Sequence, residues 1–273
     1  MGGIELEWPK SNIQPSPLEN PSGYIKAATE ALAPLLRPRP ITPAKRTDTS
    51  IYPLLQLTPI LKPDTSTELK GISLILRTLA TSAFAKSSWT FTAGYFNMTP
   101  EIRTLLLSTN PARGTVVAAS PWANGFYGSK GISGMLPAAY THLGKQFLQA
   151  VKEKGLSGQI ALKEWRHGTV NQPGGWTYHA KGLWITLPGE QNPCISLVGS
   201  SNYTKRSYSI DLEANTLIVT RNEGLMRKLG EEEKWLQQHA KVVDETEFHK
   251  TERRVGLHVR IAMWIVTLVG GAL

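Results

Sequence analysis

Apolar positions repeat at helical spacing over residues 67–84, where Leu69, Ile72, Ile75, Leu76 and Leu79 fall on one face behind a capping Thr67. That spacing predicts an amphipathic helix packed on a core. Residues 89–95 alternate aromatic, β-branched and small side chains, as a strand does, and Asn97, Thr99, Pro100 and Glu101 then mark a helix start before residues 102–107. The alternation repeats, with a buried strand at 115–119, a helix at 138–152 and a strand at 159–165. Residues 176–187 read as a strand, 188–193 as a turn, and 195–199 and 212–220 as two more strands. A polar, charged helix over 223–240 reads as a solvated outer element. These elements predict an α/β fold, a mixed α+β sheet flanked by helices.

The ends of the chain break this pattern. Residues 1–50 are rich in Pro, Ser and Thr, with Pro38, Pro40 and Pro43 close together, and read as a linker or arm around one short helix near 24–36. Glu5, Glu7 and the lack of a long apolar run there argue against a secretory signal or an acid-poor presequence. Residues 251–273 combine Arg253, Arg254 and Arg260 with an apolar run over 261–273 that is too short to span a bilayer. It reads as a core-docking element or as an interfacial membrane contact. The folded domain is therefore expected over residues 51–250.

Composition adds two constraints. With 41% hydrophobic residues the chain can bury one full core, which excludes disorder throughout, and a net charge of +9 favours anionic partners. The single Cys194 excludes an intrachain disulfide and a thiolate metal cluster. No metal and no cofactor are implied, because no second His or carboxylate cluster at ligand spacing accompanies the candidate His179.

His179 and Lys181 are two apart on a predicted strand and so point to one face. An imidazole beside an ammonium suits a phosphodiester centre, which needs a nucleophile or proton carrier and positive charge for the phosphoryl oxygens. Gly199, Ser200 and Asn202 follow at a strand end, where a hydroxyl and an amide can hold a phosphate oxygen. Asp211, Glu213 and Asn215 share a face of the next strand, and a carboxylate there can orient His179. Arg206 and Asn215 are weaker candidates. Residues 120–137 form a Gly-rich segment, either an ordinary loop or a ligand loop, in which Asn124 and Lys130 are candidate substrate contacts.

Together, His179-x-Lys181, Gly199-Ser200-x-Asn202 and Glu213 resemble one catalytic motif of the phospholipase D superfamily, with Thr186 where the usual motif has Asp. The string Thr177-Tyr178-His179-Ala180-Lys181-Gly182-Leu183-Trp184 resembles the second motif of eukaryotic phosphatidylglycerophosphate synthases. The resemblance extends to residues 51–54, 94–97, 120–128, 137–140 and 211–214. It implies a phospholipase D-like C-terminal half with one catalytic repeat. It further implies transfer of a phosphatidyl group from CDP-diacylglycerol to glycerol 3-phosphate, releasing CMP, by way of a covalent intermediate on histidine. His179 is then nucleophile or general acid/base, Lys181 and Asn202 bind phosphoryl oxygens, Ser200 adds a hydrogen bond and Glu213 orients His179. An N-terminal half or a second copy completes the site, and the setting is the mitochondrial inner membrane with its anionic surface. No nucleic acid is expected as a partner. The alternatives are a membrane-binding module without catalysis and a phosphodiesterase or nuclease of the same superfamily.

Overall fold

A computed structural model describes residues 7–37 and 47–268. Pro38, Pro40 and Pro43 of the expected linker lie outside the described residues, as do 269–273 of the apolar tail. The N-terminal arm does hold one helix, α1 (Pro21–Leu36), capped by Asn20, whose side-chain oxygen accepts from the Gly23 N–H at 2.9 Å.

One eight-stranded sheet organises the domain, in the order β1-β7-β6-β5-β2-β3-β4-β8. Its strands are β1 (Thr49–Gln56), β2 (Ser88–Ala93), β3 (Arg113–Ala119), β4 (Ile160–Trp165), β5 (Lys181–Thr186), β6 (Ile195–Gly199), β7 (Glu213–Thr220) and β8 (Ala240–Val243). The pairs β2–β3 and β3–β4 are parallel and the others antiparallel, so the sheet is mixed, as expected.

Strand periodicity divides the side chains between two faces. Phe91, Val116, Leu162, Leu183, Ile185 and Leu197 point to one side and merge into the main core. There they meet Ile72 and Leu76 of α2 (Glu68–Leu79), Ile102 and Leu106 of α3 (Pro100–Ser108), and Phe147 and Val151 of α4 (Leu136–Glu153). The opposite face carries α6 (Glu223–Leu236), held by polar ties from Thr90 to Glu233 and from the Trp184 indole to Glu232 at 3.0 Å.

Three sequence expectations need correction. The strand expected over 176–187 starts only at Lys181, so His179 precedes the ladder. The helix expected over 223–240 stops at Leu236, and β8 emerges from its tail because the His239 carbonyl accepts from Arg166 N–H at 3.0 Å and draws the chain alongside β4. Strand β1 has no counterpart among the predicted elements. The last helix, α7 (Leu257–Leu268), packs on α4 but buries only Val259, so it does not dock in the core.

The segment leading into α7 is held by one buried ion pair. Arg253 donates to both Glu164 oxygens, at 2.9 and 2.6 Å, with 7% and 8% of the two side chains exposed. Burial raises the Glu164 carboxyl above its ordinary value despite this partner. Arg253→Met is expected to cost about 3–5 kcal/mol, because it strands a buried charge, whereas Glu164→Leu combined with Arg253→Met recovers most of that loss. Urea unfolding of the two variants checks this.

Candidate functional site at one end of the sheet

The register gathers the chemistry at one end. Ala93, the last residue of β2, pairs with Lys181, the first of β5; Gly199 at the end of β6 pairs with Asn215; and Glu213, the first residue of β7, pairs with Gln56, the last of β1. Lys181, Glu213 and Asn215 fall on the face covered by α2, α3 and α4.

Upstream of Lys181 the chain leaves the ladder. Gly94 N–H still reaches the Ala180 carbonyl at 3.0 Å, but Tyr178 N–H turns to Ala123 at 3.0 Å. A Cβ on Gly94 would lie 2.8 Å from the Tyr178 oxygen and 3.0 Å from the His179 Cα, so only glycine allows this approach. Tyr178 is pinned beneath by a 2.6 Å hydrogen bond to Thr92 and by stacking on Trp165, and burial pushes its hydroxyl up to about 12. His179 itself is exposed and lays its ring against Tyr95, centroids 4.9 Å apart. Tyr95 in turn stacks on Tyr140 of α4 and touches Phe126 of the Gly-rich segment.

The half-buried Lys181 ammonium donates to the His179 carbonyl at 3.0 Å and is attracted by Glu213. Burial, then the Lys181 charge, lower the proton affinity of His179, which keeps the imidazole neutral and its lone pair available. Glu213 takes a short hydrogen bond from the Ser200 hydroxyl, which also accepts from Ala214 N–H at 3.0 Å. Among the described residues no hydrogen bond joins Glu213 to His179. The carboxylate acts on the neighbouring Lys181 instead. Asn202 uses its side-chain oxygen to accept from Tyr95 N–H at 3.4 Å.

The structure therefore brings His179, Lys181, Glu213, Ser200 and Asn202 together. It treats the other candidates differently. Asn124 is buried and its side-chain oxygen accepts from Phe126 N–H at 2.9 Å, shaping the loop, while Lys130 is exposed and, among the described residues, makes no hydrogen bond or ion pair with the His179 group. Arg206 pairs with Asp211 at 3.0 Å. Thr186 ends β5, about 16 Å of strand from Lys181, so an Asp missing from that position removes no charge from the cluster.

Two groups were not singled out from sequence. Tyr95 is one; its signal was an aromatic residue next to the strand-end glycine. Glu68, in the first turn of α2, is the other: fully buried, it carries a carboxyl raised to about 7 by burial, with the Glu213 charge adding to the effect and Ser201, Tyr208 and Asn215 opposing it. Beside His179 there is also an aromatic cavity of about 410 Å³ walled by Trp165, Trp176, Tyr178 and Trp235.

The mixed sheet flanked by helices has the fold of a phospholipase D-like half domain, and the His-x-Lys, Ser-x-Asn and Glu group lies at one end of it. A crystal structure of phosphatidylserine synthase from Haemophilus influenzae superposes with a TM-score of 0.63 at 21% identity, over 86% of this chain and 48% of that one, a likeness of fold. No protein-family model matches the chain. A CDP-diacylglycerol–glycerol-3-phosphate 3-phosphatidyltransferase of Saccharomyces cerevisiae is 43% identical over 97% of this chain and 53% of its own length. A mitochondrial protein of the same name from Homo sapiens is 39% identical over 78% of this chain and 36% of its own. The chain is homologous to these CDP-diacylglycerol–glycerol-3-phosphate 3-phosphatidyltransferases, and it spans about half the length of the yeast relative.

Two measurements probe the electrostatics. In Lys181→Gln, the His179 ring should titrate at higher pH than in the parent, since a like charge has gone; NMR of the ring resonances reports the shift. Glu68 binds its proton more tightly in the folded state, about 7 against 4.5, so its stabilising contribution is complete below pH 4.5 and is lost as pH rises through 7. Glu68→Gln should flatten the stability profile in that window and gain up to ~3 kcal/mol above it, read from urea midpoints against pH.

Proposed function

We propose that this chain supplies one half of a phosphatidyl-transfer site, taking a phosphatidyl group from CDP-diacylglycerol and passing it to glycerol 3-phosphate. The observation that carries the reading is the meeting of His179, Lys181 and Asn202 at one sheet end, in a chain homologous to phosphatidyltransferases. A neutral imidazole held above an ammonium can attack phosphorus while the ammonium and the Asn202 amide take up charge on the phosphoryl oxygens. The N–P bond forms as the P–O bond to CMP breaks. The acceptor hydroxyl then attacks the same phosphorus, the N–P bond breaks, and the hydroxyl proton passes to a second base. Either of two histidines can fill the nucleophilic role while the other moves the proton.

Each residue has a part in this scheme. Lys181 and Asn202 bind phosphoryl oxygens; Ser200 fixes Glu213; Glu213 holds Lys181 in place. Asn124 shapes the substrate-side loop, and Lys130 is assigned a contact with an anionic substrate. The aromatic cavity beside His179 suits a planar or apolar portion of the donor. The second histidine comes from a partner half, or from a second copy of the chain. The mitochondrial name of the human relative supports a mitochondrial setting, and the inner membrane is the place assigned to the chain within it. Among the described residues no helix is long and apolar enough to cross a membrane.

Expected behaviour follows from the half-site. Alone, the chain should transfer almost no labelled glycerol 3-phosphate to CDP-diacylglycerol; supplied with the complementary half of a relative it should gain activity. His179→Ala in that reconstituted enzyme should lower the rate by about 10²–10⁴-fold or more, and an unchanged rate would sink the proposal.

A further inference from the structure

Away from the strand-end cluster, a cavity of about 820 Å³ opens between α3, α4 and the segment that leads into α7. Arg103 of α3, His142 and Lys145 of α4, and Arg254 and Arg260 all line it, against a single carboxylate, Glu153. Arg253 also reaches the wall but is spent on Glu164. Among the described residues none of Arg103, Lys145, Arg254 and Arg260 is in a recorded ion pair. The crowding is felt within the cavity, where Arg260 and Lys145 add to burial in lowering the proton affinity of His142. Unneutralised cations converging on one cavity make a site for an anion.

The adjoining helix adds a second, independent feature. Leu257, Ile261, Trp264, Ile265 and Leu268 of α7 are 69, 48, 64, 47 and 69% exposed, an apolar surface bordering the basic cleft. Exposed aliphatic side chains and a tryptophan next to basic residues are the arrangement of a helix lying in a bilayer interface. Charge selects the occupant. A second copy of this chain would bring the same cations against themselves and a net charge of +9 besides, and a purely apolar protein partner would leave the cleft unneutralised.

We propose that the cleft is a binding site for the phosphate headgroup of an anionic bilayer phospholipid, with its acyl chains against α7. The site is distinct from the His179 cluster, and it shares α4 with it. Tyr140 of that helix stacks on Tyr95, which touches His179, while His142 and Lys145 face the cleft. A lipid bound here sets the transfer site close to the bilayer surface.

The test is co-sedimentation of the 273-residue chain with vesicles of phosphatidylcholine alone, or of phosphatidylcholine with about a third phosphatidylglycerol. Binding is expected only to the anionic vesicles. Arg103→Gln, Lys145→Gln and Arg260→Gln combined should weaken it on the order of 100-fold, at about 1 kcal/mol per cation. Trp264→Ser with Ile265→Ser should weaken it as well, with the far-UV CD melt of each variant matching the parent. His179→Ala should bind like the parent, which separates failure here from failure of the transfer reading. Equal binding of parent and triple variant overturns the proposal. So does equal binding to neutral vesicles, the same weakening from a triple of exposed lysines outside the cleft, or a dimer abolished by Trp264→Ser without any vesicle binding.

Discussion

Gly94 and the backbone of Tyr178 and His179 approach so closely that a Cβ would stand 2.8 Å from a carbonyl oxygen, and the geometry of the site follows from that contact. It lets the strand before Lys181 peel away from β2 while still held at the Ala180 carbonyl. Once it is out of the ladder, His179 is free to lie on Tyr95, and the Lys181 ammonium turns back to the His179 carbonyl. A strand that continued in register would have kept His179 and Lys181 side by side on one face, at the usual two-residue spacing and without a ring platform. The ladder's end converts two neighbours on a strand into a ring in solvent above a half-buried cation.

Beneath this pair the protein keeps two carboxyls of different character. Glu213 lies near the ammonium and takes the Ser200 hydrogen bond, whereas Glu68 is sealed in the first turn of α2. Desolvation and the neighbouring Glu213 charge favour the protonated form of Glu68, and it is Glu213 that attracts the Lys181 ammonium.

Much of this was legible in the sequence, and what was not has physical reasons. The strands over 115–119 and 159–165 read as buried because both lie inside the sheet, β3 between β2 and β4 and β4 between β3 and β8. The spacing of His179, Lys181, Ser200, Asn202 and Glu213 identified the cluster because all of them come from strand ends that antiparallel pairing brings together. Strand β1 escaped because it is an edge: Ile51 and Tyr52 are exposed, and Pro53 is tolerated only where one side of the backbone has no partner. β8 escaped because four residues after a charged helix carry no period of their own. The orienting role expected of Glu213 toward His179 was inferred from types and spacing, whereas the hydrogen bonds drawn by Ser200 and Lys181 depend on where the chain leaves the ladder. Glu68 was invisible for a simpler reason, since a single acidic residue after Thr67 reads as an ordinary first-turn charge until β7 is laid over it.

The sheet's outer pairing also bears on how the molecule comes to be built. Thr49 and Thr220 share a hydrogen bond across 171 positions, as β1 closes on β7. During synthesis from the N-terminus, β1 therefore emerges long before its neighbour β7 exists, while the β2–β3–β4 unit can pair as soon as it is made. The exposed Ile51 and Tyr52 leave an unpaired, apolar strand waiting through that interval, a stretch open to mispairing with other chains. The floor under Glu213, whose partner in the register is Gln56 of that same strand, is consequently among the last parts of the domain to be completed.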